Sequence, residues 1–158
     1  EADPERDILK VAVFERHTAS GNIGLGFVRG FGFKGGAIGS SVAHDAHNIV
    51  VVGDNDVDMA TAAGQIAEMG GGLVIAQGGK ISGALALPIA GLMSGKGIEH
   101  VGKRLELMRK IGRDMGCKLD DPFMALAFLS LPVIPELRVT DRGLVDVGQF
   151  RIVPLFEG

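Results

Sequence analysis

Two apolar runs separated by five polar residues are the strongest constraint on how this chain folds. Ala37-Ile38-Gly39-Ser40-Ser41-Val42-Ala43 comes first, then His44-Asp45-Ala46-His47-Asn48, then Ile49-Val50-Val51-Val52-Gly53. The small and β-branched flanks predict two strands, over 37–43 and 49–52, joined by a polar turn. That turn holds two of the chain's four histidines with a carboxylate and an amide. Such a cluster at a strand end is costly to bury unless its members are paired or put to chemical use.

The remaining pattern extends this hairpin into an α+β domain. Leu9–Phe14 and Ile23–Val28 read as short strands, with His17-Thr18-Ala19-Ser20-Gly21-Asn22 as turn chemistry between them. After the Val-rich strand, Asp54, Asn55 or Asp56 can cap a helix carrying Met59, Ala62, Ala63 and Ile66 as its apolar stripe, ended by Gly70-Gly71-Gly72. A second hairpin, Leu73–Ala76 and Lys80–Leu87 around Gly78-Gly79, precedes a second helix. That helix places Ile98, Val101, Leu105, Met108 and Met115 on one face and stops at Gly116. Asp121 followed by Pro122 opens a short third helix through Leu129. Pro132, Pro135 and Pro154 confine the remainder to loops and edge strands, with a turn at Asp141-Arg142-Gly143. The expected architecture is a mainly antiparallel sheet with two or three helices packed on one face, in hairpin–helix units.

Length and composition narrow the function. The 158 residues suit one domain with a real core, taken here as 9–158 after a charged linker over 1–8. The linker reads as continuing from a longer polypeptide, a processed or tagged N-terminus being the alternative. A net charge of −3, basic residues interleaved with acids, and the absence of Trp and Tyr argue against nucleic-acid binding. No apolar run reaches membrane-spanning length. The single cysteine, Cys117, cannot close an internal disulfide, which fits a cytoplasmic protein.

Several motifs have plainer readings than their chemistry suggests. Gly24-Leu25-Gly26-Phe27-Val28-Arg29-Gly30 misses a dinucleotide fingerprint because its third glycine falls one residue late and no helix follows. A strand that lets another backbone approach closely explains it better. Asp54-Asn55-Asp56-Val57-Asp58 lacks the glycine and distal glutamate of a calcium loop, which leaves helix capping. Ser40-Ser41 has no nucleophile-elbow context, and Cys117 has no paired histidine. In the central turn, Asp45 can orient an imidazole or act as a base, and Asn48 can hold a carbonyl or an amide. The alternative is a polar turn that ties two strands together. A metal site needs three or four ligands, and His17 and His100 are distant in sequence.

A set of ordered segments resembles the C-terminal domain of adenine deaminase, in the amidohydrolase superfamily. They include Glu15-Arg16-His17, Gly26-Phe27-Val28-Arg29-Gly30-Phe31-Gly32, and Ser40-Ser41-Val42-Ala43-His44-Asp45-Ala46-His47-Asn48. Gly70-Gly71-Gly72, Leu87-Pro88-Ile89-Ala90-Gly91-Leu92-Met93-Ser94 and Asp120-Asp121-Pro122-Phe123-Met124 follow. Leu131-Pro132-Val133-Ile134-Pro135-Glu136-Leu137 and Thr140-Asp141-Arg142-Gly143 complete the set. The resemblance implies a metal-dependent hydrolase of purine salvage that converts adenine to hypoxanthine and ammonia. It also implies that a divalent metal, manganese or iron, sits in a (β/α)8 barrel upstream, since this chain has no His-x-His; no metal is expected here. The implied partners are that barrel and further copies of the enzyme. In this setting His44, Asp45 and His47 are the expected auxiliary catalytic residues, with Asn48 and Ser41 expected at the substrate. A purely structural or oligomerisation domain, and an independent metal or small-ligand module, are the competing expectations.

Overall fold

The computed structural model describes residues 1–156. Six antiparallel strands run in the order β2-β1-β4-β3-β5-β6, namely β1 (Leu9–Phe14), β2 (Ile23–Val28), β3 (Ala37–Ser40), β4 (Ile49–Gly53), β5 (Gly72–Gln77) and β6 (Lys80–Ala86). Three helices accompany them: α1 (Asp56–Glu68), α2 (Ile98–Asp114) and α3 (Pro122–Leu129). A separate sheet holds β7 (Leu137–Thr140), β8 (Gly143–Asp146) and β9 (Arg151–Val153). The α+β, mainly antiparallel architecture agrees with the sequence, and Asp141-Arg142-Gly143 is the β7–β8 turn.

Helices cover both faces of the large sheet rather than one. Met59, Ala62, Ala63 and Ile66 of α1 pack on Ala12, Ala37, Val51, Val74 and Ala76. The opposite face presents Leu9, Val11, Ile38, Val50, Val52 and Ile75 to Met108 of α2 and to Phe123 and Leu126 of α3. Successive strand residues point to opposite faces, so Ile49-Val50-Val51-Val52 is apolar without alternation because both of its faces are buried. Burying each such side chain contributes about 1.5–3 kcal/mol. Of the stripe expected on α2, Met108 and Met115 are buried while Ile98, the first residue of the helix, is exposed.

The helix ends follow their local chemistry. Asn55 Oδ1 accepts from the Asp58 amide at 2.9 Å, and Asp58 in turn takes the Gly79 amide at 2.6 Å, which pins α1 to the β5–β6 turn. Asp121 caps α3 through the Met124 amide, with Pro122 following. Arg109 of α2 meets Asp121 at 2.6 Å.

Glycines in β2 admit the small sheet. A Cβ on Gly24 would collide with the carbonyl oxygen of Thr140, and one on Gly26 would lie 2.5 Å from Val139 Cγ2. The glycine-rich strand therefore serves close backbone approach. The segment read as a linker is folded onto the domain: Asp3 pairs with Ile8, and the Asp7 carboxylate takes the amides of Gly32 and Gly30. Burial raises the Asp7 carboxyl, but those amides and nearby Lys118 outweigh it and hold the group below the ordinary range.

Candidate functional site

Strand β3 ends at Ser40, three residues before its expected limit, because serine hydroxyls take over from the ladder. Ser40 Oγ accepts from the Val42 amide at 2.9 Å. Ser41 is fully buried; its hydroxyl accepts from the Gly72 amide at 2.8 Å and donates to the Gly91 carbonyl at 2.6 Å. Ser41 thus braces three backbone segments under the turn, with its hydroxyl fully buried and engaged by backbone groups.

The turn itself is held from outside. Arg16 Nε donates to the His47 carbonyl at 2.6 Å, and its Nη2 donates to the Ala90 carbonyl at 2.6 Å. His17 Nε2 donates to the Ala46 carbonyl at 2.7 Å. Below, the His44 amide donates to the Ala127 carbonyl and Ser130 Oγ to the His44 carbonyl, which ties the turn to the end of α3. His47 adopts φ +52°, a left-handed conformation that these bonds sustain.

The five residues divide between two environments. His44 and His47 form an edge-on ring pair with centroids 5.6 Å apart, and His44 also lies against Phe128. Asp45 and Asn48 instead line a cleft of about 450 Å³, bordered by Ser130–Val133 and by Thr140, Asp141 and Arg142 from the β7–β8 turn. Asn48 Nδ2 donates to Asp141 Oδ1 at 3.4 Å, while Asn22 approaches the other carboxylate oxygen. Asn48 Oδ1 is buried with no partner among the described residues. The cleft therefore brings two carboxylates, a guanidinium and an amide to a small apolar floor, in the size class of small-molecule sites.

Burial, then the neighbouring His44, lowers the His47 pKa, with Arg16 and His17 adding to the effect and Asp45 opposing it. His47 is accordingly neutral at pH 7, and its Nδ1 accepts from the Ala43 amide at 3.3 Å. Glu15, at the base of the β1–β2 loop, is lowered to about 2. Its desolvation is outweighed by the amides of Ser20, His17 and Thr18 and by the Thr18 hydroxyl. This carboxylate fixes the loop that presents Arg16 and His17.

His47 Nδ1 and His17 Nε2 are engaged by backbone groups, and among the described residues no three His, Cys, Asp or Glu side chains converge on a point. His100 lies on α2, away from the turn.

Sequence comparison decides the family. A profile of the adenine deaminase C-terminal domain matches residues 1–151. The chain belongs to the adenine deaminase C-terminal domain family. It is 57% identical over 156 residues to the adenine deaminase of Desulfatibacillum aliphaticivorans and 55% over 157 to that of Moorella thermoacetica, covering 99% of this chain in each case. The adenine deaminase of Brucella abortus is 54% identical over 153 residues. The chain spans about a quarter of the length of these curated relatives.

The cleft draws together segments that are far apart in the sequence. The polar turn marks its centre, yet Ser130, Asp141 and Arg142 come from segments more than 80 residues downstream. Arg16 and His17 lie nearly 30 residues upstream. Their signal was the short Glu15-Arg16-His17 and Thr140-Asp141-Arg142-Gly143 segments, whose partners only the fold supplies.

Proposed function

We propose that this domain works as the C-terminal part of an adenine deaminase, catalysing adenine + water → hypoxanthine + ammonia, and that its 44–48 turn forms one wall of the purine pocket. Membership of the family over nearly the whole chain is the observation that carries this reading. The divalent metal that activates water, manganese or iron, belongs to the region of the enzyme outside this chain, so this chain alone is inactive. Asp45 faces the cleft and supplies an acceptor for the exocyclic amine or ring N–H of adenine, while Asn48, whose Oδ1 is buried, holds the Asp141 carboxylate beside it. His44 and His47 act behind them as positioning residues, and Arg16 and His17 hold the turn in place. The enzyme is cytoplasmic, acts in purine salvage and assembles as a homo-oligomer.

The test is ammonia release from adenine, measured for the complete polypeptide, for this chain alone, and for an Asp45→Asn variant of the complete polypeptide. Activity confined to the complete polypeptide, with KM raised in the variant, supports the reading. Deamination by this chain alone, or an Asp45→Asn enzyme with unaltered kinetics, counts against it.

A further inference from the structure

The two edges of the large sheet are finished differently. Strand β6 is guarded: the register shifts opposite it between Ile75 and Ala76, Lys80 opens it, and Arg104 of α2 donates to the Ala84 carbonyl at 3.2 and 2.7 Å. Strand β2 has none of these devices. It pairs with β1 over six residues without a shift and contains no charge and no proline. Gly24 and Gly26 turn inward beneath the small sheet, while Ile23, Leu25 and Phe27 turn outward and are 53%, 54% and 36% exposed. Between this row and α1 runs an apolar groove of about 490 Å³ that also touches Phe14 and Met59. Leu155 and Phe156 line the groove, Phe156 beside Phe27 at 6.2 Å between ring centroids; Phe156 is itself 72% exposed, and among the described residues the row stays open at Ile23 and Leu25. An unguarded, apolar, regular edge next to a groove is an aggregation site unless something covers it.

We propose that the covering element is an apolar segment of the polypeptide that precedes this domain in an enzyme of the relatives' length, seated in the groove against β2. This rests on the reading above that the domain acts within a longer adenine deaminase. Two observations favour that occupant over a second copy. About three quarters of each relative lies outside the matched stretch, and the family is a C-terminal domain, so that portion comes before it. The chain also enters the sheet at the groove: Leu9 and Lys10 pair with Val28 and Phe27, and Lys10 lines the groove wall. A preceding segment reaches this surface through a short connection, at high effective concentration. Its backbone can also meet the outward ladder groups of β2, which pair with no described strand.

The complete polypeptide is the material for the test, with a photo-reactive phenylalanine analogue in place of Phe27. Irradiation is expected to join position 27 to a residue upstream of Glu1 at monomer mass. A dimer-mass product, or a link only to residues of this domain, overturns the proposal. Hydrogen exchange gives an independent reading. The β2 amides that point away from β1 are expected to exchange about a hundredfold more slowly than freely exposed amides at every protein concentration. Fast exchange, or protection that grows with protein concentration, overturns the proposal. Neither readout depends on turnover, so an inactive but cross-linked polypeptide would sink the catalytic reading and leave the docking surface standing.

Discussion

Arg16 and His47 are joined by one hydrogen bond, from the guanidinium Nε to the carbonyl oxygen at 2.6 Å, that fastens the β1–β2 loop to the polar turn. The same guanidinium reaches the Ala90 carbonyl, so a single side chain holds three loops together. Hydrogen bonds to charged groups contribute more than neutral ones. An Arg16→Ala variant is expected to lose about 2 kcal/mol in denaturant unfolding. Lysine at this position should recover only part of that loss, since one ammonium cannot reproduce the planar fork. Equal stability of Arg16→Ala and the parent would contradict the strap.

The protonation of His47 sets a pH dependence. Its pKa lies below the ordinary 6.5 in the folded state, so between the two values the unfolded chain binds more protons. Stability is complete above pH 6.5 and falls as the pH drops from there towards the lower, folded value. Urea unfolding across that range should show this decline in the parent, and a reduced decline in His47→Gly. Glycine also suits the φ of +52°, so the backbone is kept while the imidazole is removed. Glu15, lowered to about 2 from 4.5, acts at the acid end: its contribution is present above 4.5 and is lost as the pH falls towards 2.

Two glycine substitutions should move in opposite directions. Gly24→Ala drives a methyl group into the Thr140 carbonyl, where backbone rather than a flexible side chain must yield, and is expected to cost about 3 kcal/mol. Gly64 sits within α1 with open space around it, so Gly64→Ala should stabilise by about 0.5–1 kcal/mol through helix propensity. Thermal melts of the two variants check both signs.

Much of the domain is legible in its sequence, and what is missing has a topological cause. Caps at Asn55 and Asp121, the stop at Gly116 and the hairpins are local features, and each shows in a few neighbouring residues. Placement of helices on both faces was not legible as one-sided packing, although the unbroken apolar run at 49–52 carries that information. The site follows the same division. Turn 44–48 is visible directly, but Arg16 and His17 join it only because β1 lies beside β4, with Phe14 opposite Ile49. Asp141 arrives because the small sheet settles over Gly24 and Gly26, and no local pattern specifies that docking. Ser41 illustrates the reverse: a serine beside a polar cluster looks available for a ligand, whereas its hydroxyl is consumed by the Gly72 and Gly91 backbone.

Cys117 provides a chemical check on the core. Burial raises its thiol pKa, and the side chain sits in the layer beneath α2 and α3. Alkylation by iodoacetamide at pH 8 should be slow in the folded protein and rapid in urea. Fast labelling of the native state would place this residue at a looser site than the structure shows.

Steady-state kinetics of adenine deamination by the complete polypeptide, parent against His47→Gly, with thermal melts in parallel, test the central claim most directly. A positioning role for the turn predicts a fall in kcat/KM of roughly tenfold or more, about 1.4 kcal/mol of transition-state stabilisation, in an enzyme that still melts cooperatively. Unchanged kcat and KM in His47→Gly would contradict that role and leave the turn as a latch between strands.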